Sequence, residues 1–530
     1  MNMNKPTFLD DVEYKASSGA QSGKEWNWLN PQCAAFSHPA NYYESSLQAW
    51  HEFEPLNADI ECDVVVIGGG LLGASAALHL SEQGVDTVLV EKNRVGSAAS
   101  GRNGGQLTPG LARWEAETMI EHFSFEEAKK LWHFTSTEAM ALIDSITEKY
   151  DLDVQRKHGH LTAAVHSGHL DALREGMQAR HYLDEKNTSM LTQDELREHV
   201  QSDNYFGGQL DQLGGHIHPL ALTRGLAYSF CQNGGTIYEQ TEVQSIQERA
   251  DGIYVTTAQG VIKARKSVVM GVHHASFKLL EERNQTTIPF YTYVCTTAPL
   301  ALDLKELLPT DLPVYDTQFQ IDYYRGVSKN RLLFGGEGTG SCWSPEQTHD
   351  YLLGRIQHVF PQLEQVQLDF VWSGTTDLTV NGAADSRKFG SQYPIYAVQG
   401  WSGHGVAQTV RIGKAIADDF CGQSGDFNML TRIQHQNIPF GRALAPLVIP
   451  IAKSMYGIGA MINPGKMVSF LPPDHTAELV AIDHSIQQFF CFGDRLKLFD
   501  ILFRLQQFRF PFTDHNTKHH QKSAQQSQWC

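Results

Sequence analysis

The stretch CDVVVIGGGLLGASAALHLSEQGVDTVLVEK (Cys62–Lys92) decides the fold. CDVVVI is a short β-branched run of the kind that forms a strand buried on both faces. GGGLLG follows at once. ASAALHLSEQ consists of helix-forming residues, and Gly84 stands where a helix stop is expected. TVLVEK is a second buried strand, so about thirty residues make one βαβ unit. Its glycines fall in the pattern Gly68-x-Gly70-x-x-Gly73. Glycine is required there for a tight turn, for approach of a pyrophosphate to the backbone, and for close packing of helix on strand. The helix start at Gly70, Leu71, Leu72 and Gly73 offers free amides and a partial positive charge. Glu91, with Lys92 beside it, ends the second strand eighteen residues beyond Gly73. A carboxylate at that place accepts hydrogen bonds from the ribose hydroxyls of an adenosine and repels a 2′-phosphate. A glycine-rich turn without a ligand is the plainer alternative, and the strand–helix context weighs against it.

The fingerprint does not separate NAD from FAD. The next segment does. A nicotinamide domain proceeds to further βα units, whereas this chain enters SAASGRNGGQ (Ser97–Gln106). Small residues at Ser100, Gly101, Gly104 and Gly105 let the backbone lie against a flat ring system. Consecutive amides around Asn103 and Gln106 can reach pyrophosphate and flavin, and Arg102 adds a fixed charge. A flexible surface loop would share this composition.

The surroundings suit a large globular protein. The chain has 530 residues, 41% of them hydrophobic, and a formal net charge of −17. An acidic balance disfavours nucleic acid, whose phosphates require clustered Lys and Arg. The eight cysteines (33, 62, 231, 295, 342, 421, 491 and 530) include no CxxC pair. They read as reduced thiols, neither a disulfide frame nor a zinc site. His273-His274 and His519-His520 lack metal-ligand spacing, so no metal is expected. The polar, acidic start lacks the features of a secretory signal. The longest apolar run, Val64–Leu80, is broken by four glycines and is too short for a membrane span. A cytoplasmic protein is expected.

Residues 1–58 read as an N-terminal arm ordered in part through Trp26, Trp28, Tyr42 and Tyr43. Apolar residues at helical spacing predict helices within 112–150. GGHIHPLALTRGLAYSFCQNGG (214–235) reads as a strand or loop, a helix and a glycine stop. TIYEQTEVQSI, IYVTT and KSVVMGV alternate like strands. The aromatic and β-branched residues 289–335 suggest an antiparallel sheet. A further helix is predicted over 405–420. Residues 492–510 have apolar and charged faces at helical spacing, and the last residues look disordered.

Gly68–Gly73, Glu91 and SGRNGGQ together resemble the FAD-dependent D-amino-acid oxidase-like oxidoreductases, the glycine/sarcosine oxidase group. GGHIHPLAL (214–222), GGTIYEQTEV (234–243), DYYR (322–325), RLLFGG (331–336) and GWSGHGVAQT (400–409) extend the likeness over roughly residues 40–460. The order of SGRNGGQ, DYYR, RLLFGG and GWSGHG is most similar to the gamma-glutamylputrescine oxidase subfamily. The resemblance implies an α/β fold: a discontinuous Rossmann-like FAD-binding domain (59–155, 211–280 and 370–425) and an α+β substrate domain with a large mixed or antiparallel sheet (156–210 and 281–369). A C-terminal family segment (426–470) and an extension (471–530) would follow. The resemblance places Val243 backbone on the adenine side, and Ser402, Gly403, His404 and Gly405 at the pyrimidine edge of the flavin. A helix start there would stabilise negative charge on the reduced ring.

Some relatives attach FAD through a cysteine near the C-terminal flavin segment. VWSGTTDLTVNG (371–382) has none, and the surroundings of Cys342 do not match, so FAD is expected to be non-covalent. The implied chemistry is hydride transfer from an amine-bearing carbon to flavin N5. Imine hydrolysis follows, and oxygen is reduced to peroxide. Tyr323, Tyr324 and Arg325 are the expected substrate-side residues, Arg325 as partner of a substrate carboxylate. His404 is a further catalytic candidate. Trp372, Trp401, His216 and His218 belong either to the pocket or to the core. Two other readings stand beside an amine oxidase. One is a dehydrogenase passing electrons to a quinone, with the 492–510 helix lying on a membrane or mediating oligomerisation. The other is a non-catalytic flavin-binding partner protein.

Overall fold

In the computed structural model the described residues are 3–10, 12, 41–112, 114–273, 279, 286–438, 445–447, 449–454 and 463–467. All belong to the unit Met1–Phe470. Trp26, Trp28, the 492–510 segment and the whole expected extension lie outside them.

The Cys62–Lys92 stretch forms strand β1 (Ile60–Ile67), helix Leu71–Glu82 and strand β2 (Thr87–Val90). These strands are central in a sheet of eight. β1 is flanked in parallel by β2 and by β10 (Val261–Met270). β7 (Thr236–Tyr238) and β17 (Ile395–Gln399) extend the parallel layer. β16 (Asp385–Phe389) closes one edge antiparallel, and β8 (Val243–Arg249) and β9 (Gly252–Thr257) fold back antiparallel from β10. Both faces of β1 are covered over Val64–Ile67, which is why that half of the strand is apolar without alternation. Val64 and Val66 pack with Leu89 and Val269 toward the helices. Val65 and Ile67 pack with Val88, Val90, Val268 and Met270 against Ile253 and Val255 of the β8–β9–β10 meander. Helix Leu71–Glu82 is buried almost throughout. Its small residues let helix Gly405–Phe420 cross closely, with Ser75 Oγ donating to the Val410 carbonyl at 2.7 Å.

The second sheet has nine strands. Its order is β15 (Leu368–Thr379), β11 (Thr287–Thr297), β14 (Arg331–Thr339), β13 (Asp322–Val327), β12 (Val314–Asp316), β4 (Lys157–Ala163), β6 (Gly208–His216) and β3 (Gln106–Leu107), with β5 (Thr188–Leu191) also on β6. Only the β12–β4 pair is parallel. The fold is thus the expected α/β combination of a Rossmann-like layer and a large mixed sheet. One face of the second sheet carries Tyr291, Tyr293, Tyr324, Leu332 and Phe334 against Leu352 and Ile356 of helix Pro345–Val359. The other face gives Val294, Leu333, Phe370 and Trp372 to the core shared with the first sheet's helices.

The boundaries drawn from sequence at 211 and 370 fall inside β6 and β15. Both strands are hydrogen-bonded wholly within the second sheet. Strand pairing, not the glycine motifs nearby, fixes where each of that sheet's segments ends. Residues 112–150 hold three helices, Ala116–His122, Phe125–Thr135 and Thr137–Lys149. The second starts with a Ser124–Glu127 capping box. In the arm, Phe8 bridges Leu47, and Asn41 caps a short helix that buries Tyr42 and Tyr43.

A buried ion triad ties helix His169–Tyr182 to β6. Arg180 Nε bonds Glu185 at 2.5 Å and Nη2 bonds Asp211 at 2.7 Å, while its guanidinium lies over the Trp132 ring. Asp211 also accepts the amides of Leu213 and Gly214. Removing one member strands a buried charge. Asp211→Ala is expected to destabilise the chain by about 3–5 kcal/mol in urea unfolding. A loss under about 1 kcal/mol would show that the triad is not a fold-holding element.

Candidate functional site

The site lies at the carboxyl ends of β1, β2, β10 and β17, where open parallel sheets bind their ligands. A Cβ on Gly73 would lie 1.9 Å from the Gly68 carbonyl oxygen, so only glycine lets the helix start so close to the strand end. The first intrahelical bond is Ala74 N to Gly70 O. The preceding amides therefore have no intrahelical acceptor. Gly69 donates to Glu91 Oε2 at 2.7 Å, and Leu71 donates to Ser100 Oγ at 2.9 Å. Asn93 donates to the other Glu91 oxygen at 2.8 Å. Burial pushes the Glu91 carboxyl above its ordinary range, and these two amides pull against that. The β7–β8 connection runs beside it, with Thr241 N donating to the Glu91 carbonyl, and Val243 opens β8 immediately afterwards. Lys92 is turned away: its ammonium pairs with Glu242 among half-exposed side chains.

The loop Ser100–Gln106 is held from one side. Trp372 Nε1 donates to the Arg102 carbonyl at 2.8 Å, Tyr43 OH to the Asn103 carbonyl at 2.7 Å, and Arg325 Nε to the Gly104 carbonyl at 2.8 Å. Ile217 N donates to the Gly105 carbonyl at 2.8 Å. Four consecutive carbonyls are thus occupied. Asn103 Oδ1 takes the Gly105 amide. Among the described residues the amides of Asn103 and Gly104 have no protein acceptor. Gly101 has space for a hydrogen only, against the Gly96 carbonyl. Gly105 has a φ of +71°. Arg102 Nε donates to the Ser373 carbonyl, its Nη2 is buried without a protein partner, and burial pushes its guanidinium down to about 10. Gln106 bridges the Val314 carbonyl and His160 Nε2.

The third segment turns on Asp377, a fully buried residue that sequence reading did not single out. It bonds His273 Nε2 at 2.7 Å, accepts the Gly400 amide on Oδ1, and accepts the Ser402 amide on its carbonyl. Ser402 and Gly403 both have positive φ. The tight turn sets His404 as the residue before helix Gly405–Phe420. Gln408 Nε2 then donates to the carbonyl of Thr108 at 3.0 Å, tying this helix start to the chain leaving the loop.

The DYYR segment corrects the expectation placed on it. On β13, Tyr324 faces the helix-covered side of the sheet. It stacks on Phe334 and bonds Tyr205 OH, away from the crevice. Arg325 is 2% exposed. Its five N–H groups reach the carbonyls of Gly104, Gly326 and Ile217, His216 Nδ1 and Tyr43 OH. It has no donor left for a substrate carboxylate. Tyr323 is the member of the trio beside the loop, its ring filling the space over Gly104 and Gly335. Trp372 is fully buried and holds the loop, and Trp401 packs behind Gly405.

The histidines are neutral supports. His218 Nδ1 accepts the Ala221 amide and its Nε2 meets Ser46 Oγ at 3.0 Å. Burial, and then the Arg325 charge, hold His216 and His218 well below the ordinary range. Burial pushes His160 down to about 4.

Comparison with known proteins agrees with this geometry. Residues 63–419 match the family described as FAD dependent oxidoreductase. The gamma-glutamylputrescine oxidoreductase of Escherichia coli (strain K12) is 34% identical over 408 residues, 77% of this chain and 95% of that protein. A probable oxidoreductase OrdL of Haemophilus influenzae is 32% identical over 79% of this chain and 96% of its own length. A crystal structure of glycine oxidase from Geobacillus kaustophilus superposes with a TM-score of 0.59 at 22% identity, covering 71% of this chain and 99% of that one. The chain belongs to the FAD-dependent oxidoreductase family and is an enzyme of that class. The residues present fit the cofactor. A Cβ at Gly68, Gly70 or Gly73 would lie 2.8, 2.8 or 1.9 Å from a neighbouring oxygen, and Arg102 presents a buried, unpartnered Nη2. Among the described residues no helix is long and apolar enough to cross a membrane.

Gly73→Ala forces the helix start off the strand end. The variant is expected to keep its far-ultraviolet circular dichroism and lose at least tenfold in FAD affinity. Wild-type affinity would contradict the close approach. The histidines set a pH dependence. Their folded pKa values lie below the unfolded value of about 6.5, so the unfolded chain binds more protons as pH falls through 6.5. Stability is therefore complete above that pH and declines below it. His160 alone contributes about 3 kcal/mol of loss by pH 4. Thermal melts from pH 7.5 to 5 test the sign.

Proposed function

We propose that the protein oxidises a primary amine, gamma-glutamylputrescine or a related polyamine or amino-acid derivative, using non-covalent FAD and oxygen. The observation that carries this reading is the commitment of Arg325. Enzymes acting next to a carboxylate hold that group with a cation, and a bidentate Arg suits it best. Here the guanidinium of the DYYR segment has protein acceptors for every donor. A substrate whose reacting carbon carries no carboxylate does not require it. The likeness to a gamma-glutamylputrescine oxidoreductase along 95% of that protein supports the same substrate class.

Bound FAD would supply the two-electron acceptor for the carbon–hydrogen bond beside the nitrogen. The chain's part is binding and orientation. The amides of Gly70, Leu72 and Gly73 would meet the pyrophosphate, Glu91 the ribose, and Val243 backbone the adenine side. The loop Ser100–Gln106, with Arg102, would lie along the ring system. The start of helix Gly405–Phe420, with Ser402, Gly403 and His404, would face the ring's pyrimidine edge, where its dipole favours negative charge. Tyr323 would border the substrate. The amine, as free base, loses a hydride from carbon and a proton from nitrogen. Water converts the resulting imine to an aldehyde and ammonia, and oxygen takes up two electrons and two protons to give hydrogen peroxide.

An anaerobic titration of the purified yellow protein tests this. Gamma-glutamylputrescine or a close polyamine is expected to bleach the flavin band at stoichiometric amounts, whereas glycine, proline and D-amino acids are not. Bleaching by α-amino acids alone would overturn the substrate class. Bleaching by the amine followed by quinone reduction without peroxide in air would overturn the acceptor.

A further inference from the structure

The mechanism leaves one buried side chain unexplained. Tyr43 lies outside residues 63–419, the span matched to the family, yet it is completely buried at the flavin loop. Its short helix, Tyr42–Ser45, is capped by Asn41, whose side chain accepts the Glu44 amide at 2.9 Å. The ring is boxed by His218 at 4.8 Å and Trp372 at 5.7 Å, both edge-on. Its hydroxyl has one donor and one good acceptor site to satisfy, and the structure satisfies both. It donates to the Asn103 carbonyl at 2.7 Å and accepts from Arg325 Nη2 at 3.3 Å. Ser46 Oγ continues the chain, donating to the Tyr43 carbonyl at 3.0 Å and meeting His218 Nε2 at 3.0 Å.

We infer that Tyr43 is a positioning residue for the cofactor: the N-terminal arm sets the loop that the flavin lies against. A peptide unit whose carbonyl is fixed on one side presents its amide to the opposite side. Trp372, Tyr43 and Arg325 fix three successive carbonyls, at Arg102, Asn103 and Gly104. The unit between Asn103 and Gly104 is the one Tyr43 holds, and the Gly104 amide is one of the two without a protein acceptor. Removing the hydroxyl would release that carbonyl and leave a buried Arg325 donor unmatched, so the loop would lose its preset orientation. The inference rests on FAD being the ligand of this loop, and the experiment separates the two.

The test is FAD titration of apo-protein, followed by flavin fluorescence and visible absorption, for wild type, Tyr43→Phe and Tyr42→Phe. Tyr43→Phe is expected to weaken FAD binding about tenfold and to shift the resolved shape of the flavin band, with the apo-protein melting as wild type does. Tyr42→Phe, on the same arm, is expected to match wild type in both. Arg325→Lys combined with Tyr43→Phe is expected to lose less affinity than the sum of the two single losses, because the side chains share the Nη2–hydroxyl contact while each also holds its own carbonyl. Hydrogen exchange on the wild type gives an independent readout: adding FAD should slow exchange in residues 41–46 together with 98–106. Wild-type affinity and spectrum in folded Tyr43→Phe, or an arm whose exchange ignores FAD, would overturn the inference. Failure of the wild type itself to bind FAD would overturn both the inference and the cofactor reading beneath it.

Discussion

The absence of a side chain at Gly73 is the constraint from which the rest follows. The carbonyl of Gly68, at the end of β1, occupies the space that a Cβ at position 73 would need. Helix Leu71–Glu82 can therefore begin directly over the strand end, with its first-turn amides and its partial positive charge at the carboxyl edge of the sheet. Two further contacts depend on that placement. Gly69 reaches Glu91 at the end of β2, and Leu71 reaches Ser100 in the loop that follows. A single close approach thus fixes the relative positions of the fingerprint, the acidic residue and the loop.

The loop is then oriented by side chains from three distant places in the chain. Trp372 comes from β15, Arg325 from β13, and Tyr43 from the N-terminal arm. Their donors occupy successive carbonyls, which makes the loop Ser100–Gln106 a rigid, one-sided surface despite its three glycines and lack of apolar residues. Arg325 can serve this role because its hydrogen-bond partners are uncharged. His216 accepts from it through Nδ1, and both His216 and His218 are kept neutral by burial and by that same guanidinium. A buried cation surrounded by carbonyls, a phenol and a neutral imidazole is satisfied without a carboxylate. The same satisfaction takes the residue out of reach of a substrate.

The βαβ unit was legible in sequence because its parts lie within about thirty residues and each local signal agrees with the others. Cys62–Ile67 has no polar face, Gly70–Gly73 is followed by helix formers, and Glu91 ends an apolar strand. The helices at 219–232 and 405–420 were legible for the same reason. The roles of Tyr324 and Arg325 were not. Alternation on β13 separates them to opposite faces, but both faces of that strand are buried, so no polar–apolar rhythm marks which side meets the loop. Arg325 bonds Tyr43 across 282 positions of sequence. No local pattern carries a contact of that kind, and an arginine beside two tyrosines looks the same whether it meets a ligand or the backbone. Asp377 escaped notice in the same way. Its partners, His273 and the turn at Gly400–Ser402, come together only when β10, β15 and β17 are assembled.

The most direct measurement of the central claim is the flavin content of the purified chain. After heat or acid denaturation, the supernatant and the precipitate are analysed separately by chromatography and absorption. The cradle formed by Gly68–Gly73, Glu91 and Ser100–Gln106 predicts one FAD per chain, all of it released into the supernatant. A colourless protein that takes up no FAD on reconstitution, or a flavin of another kind lacking the adenylate half, would contradict it.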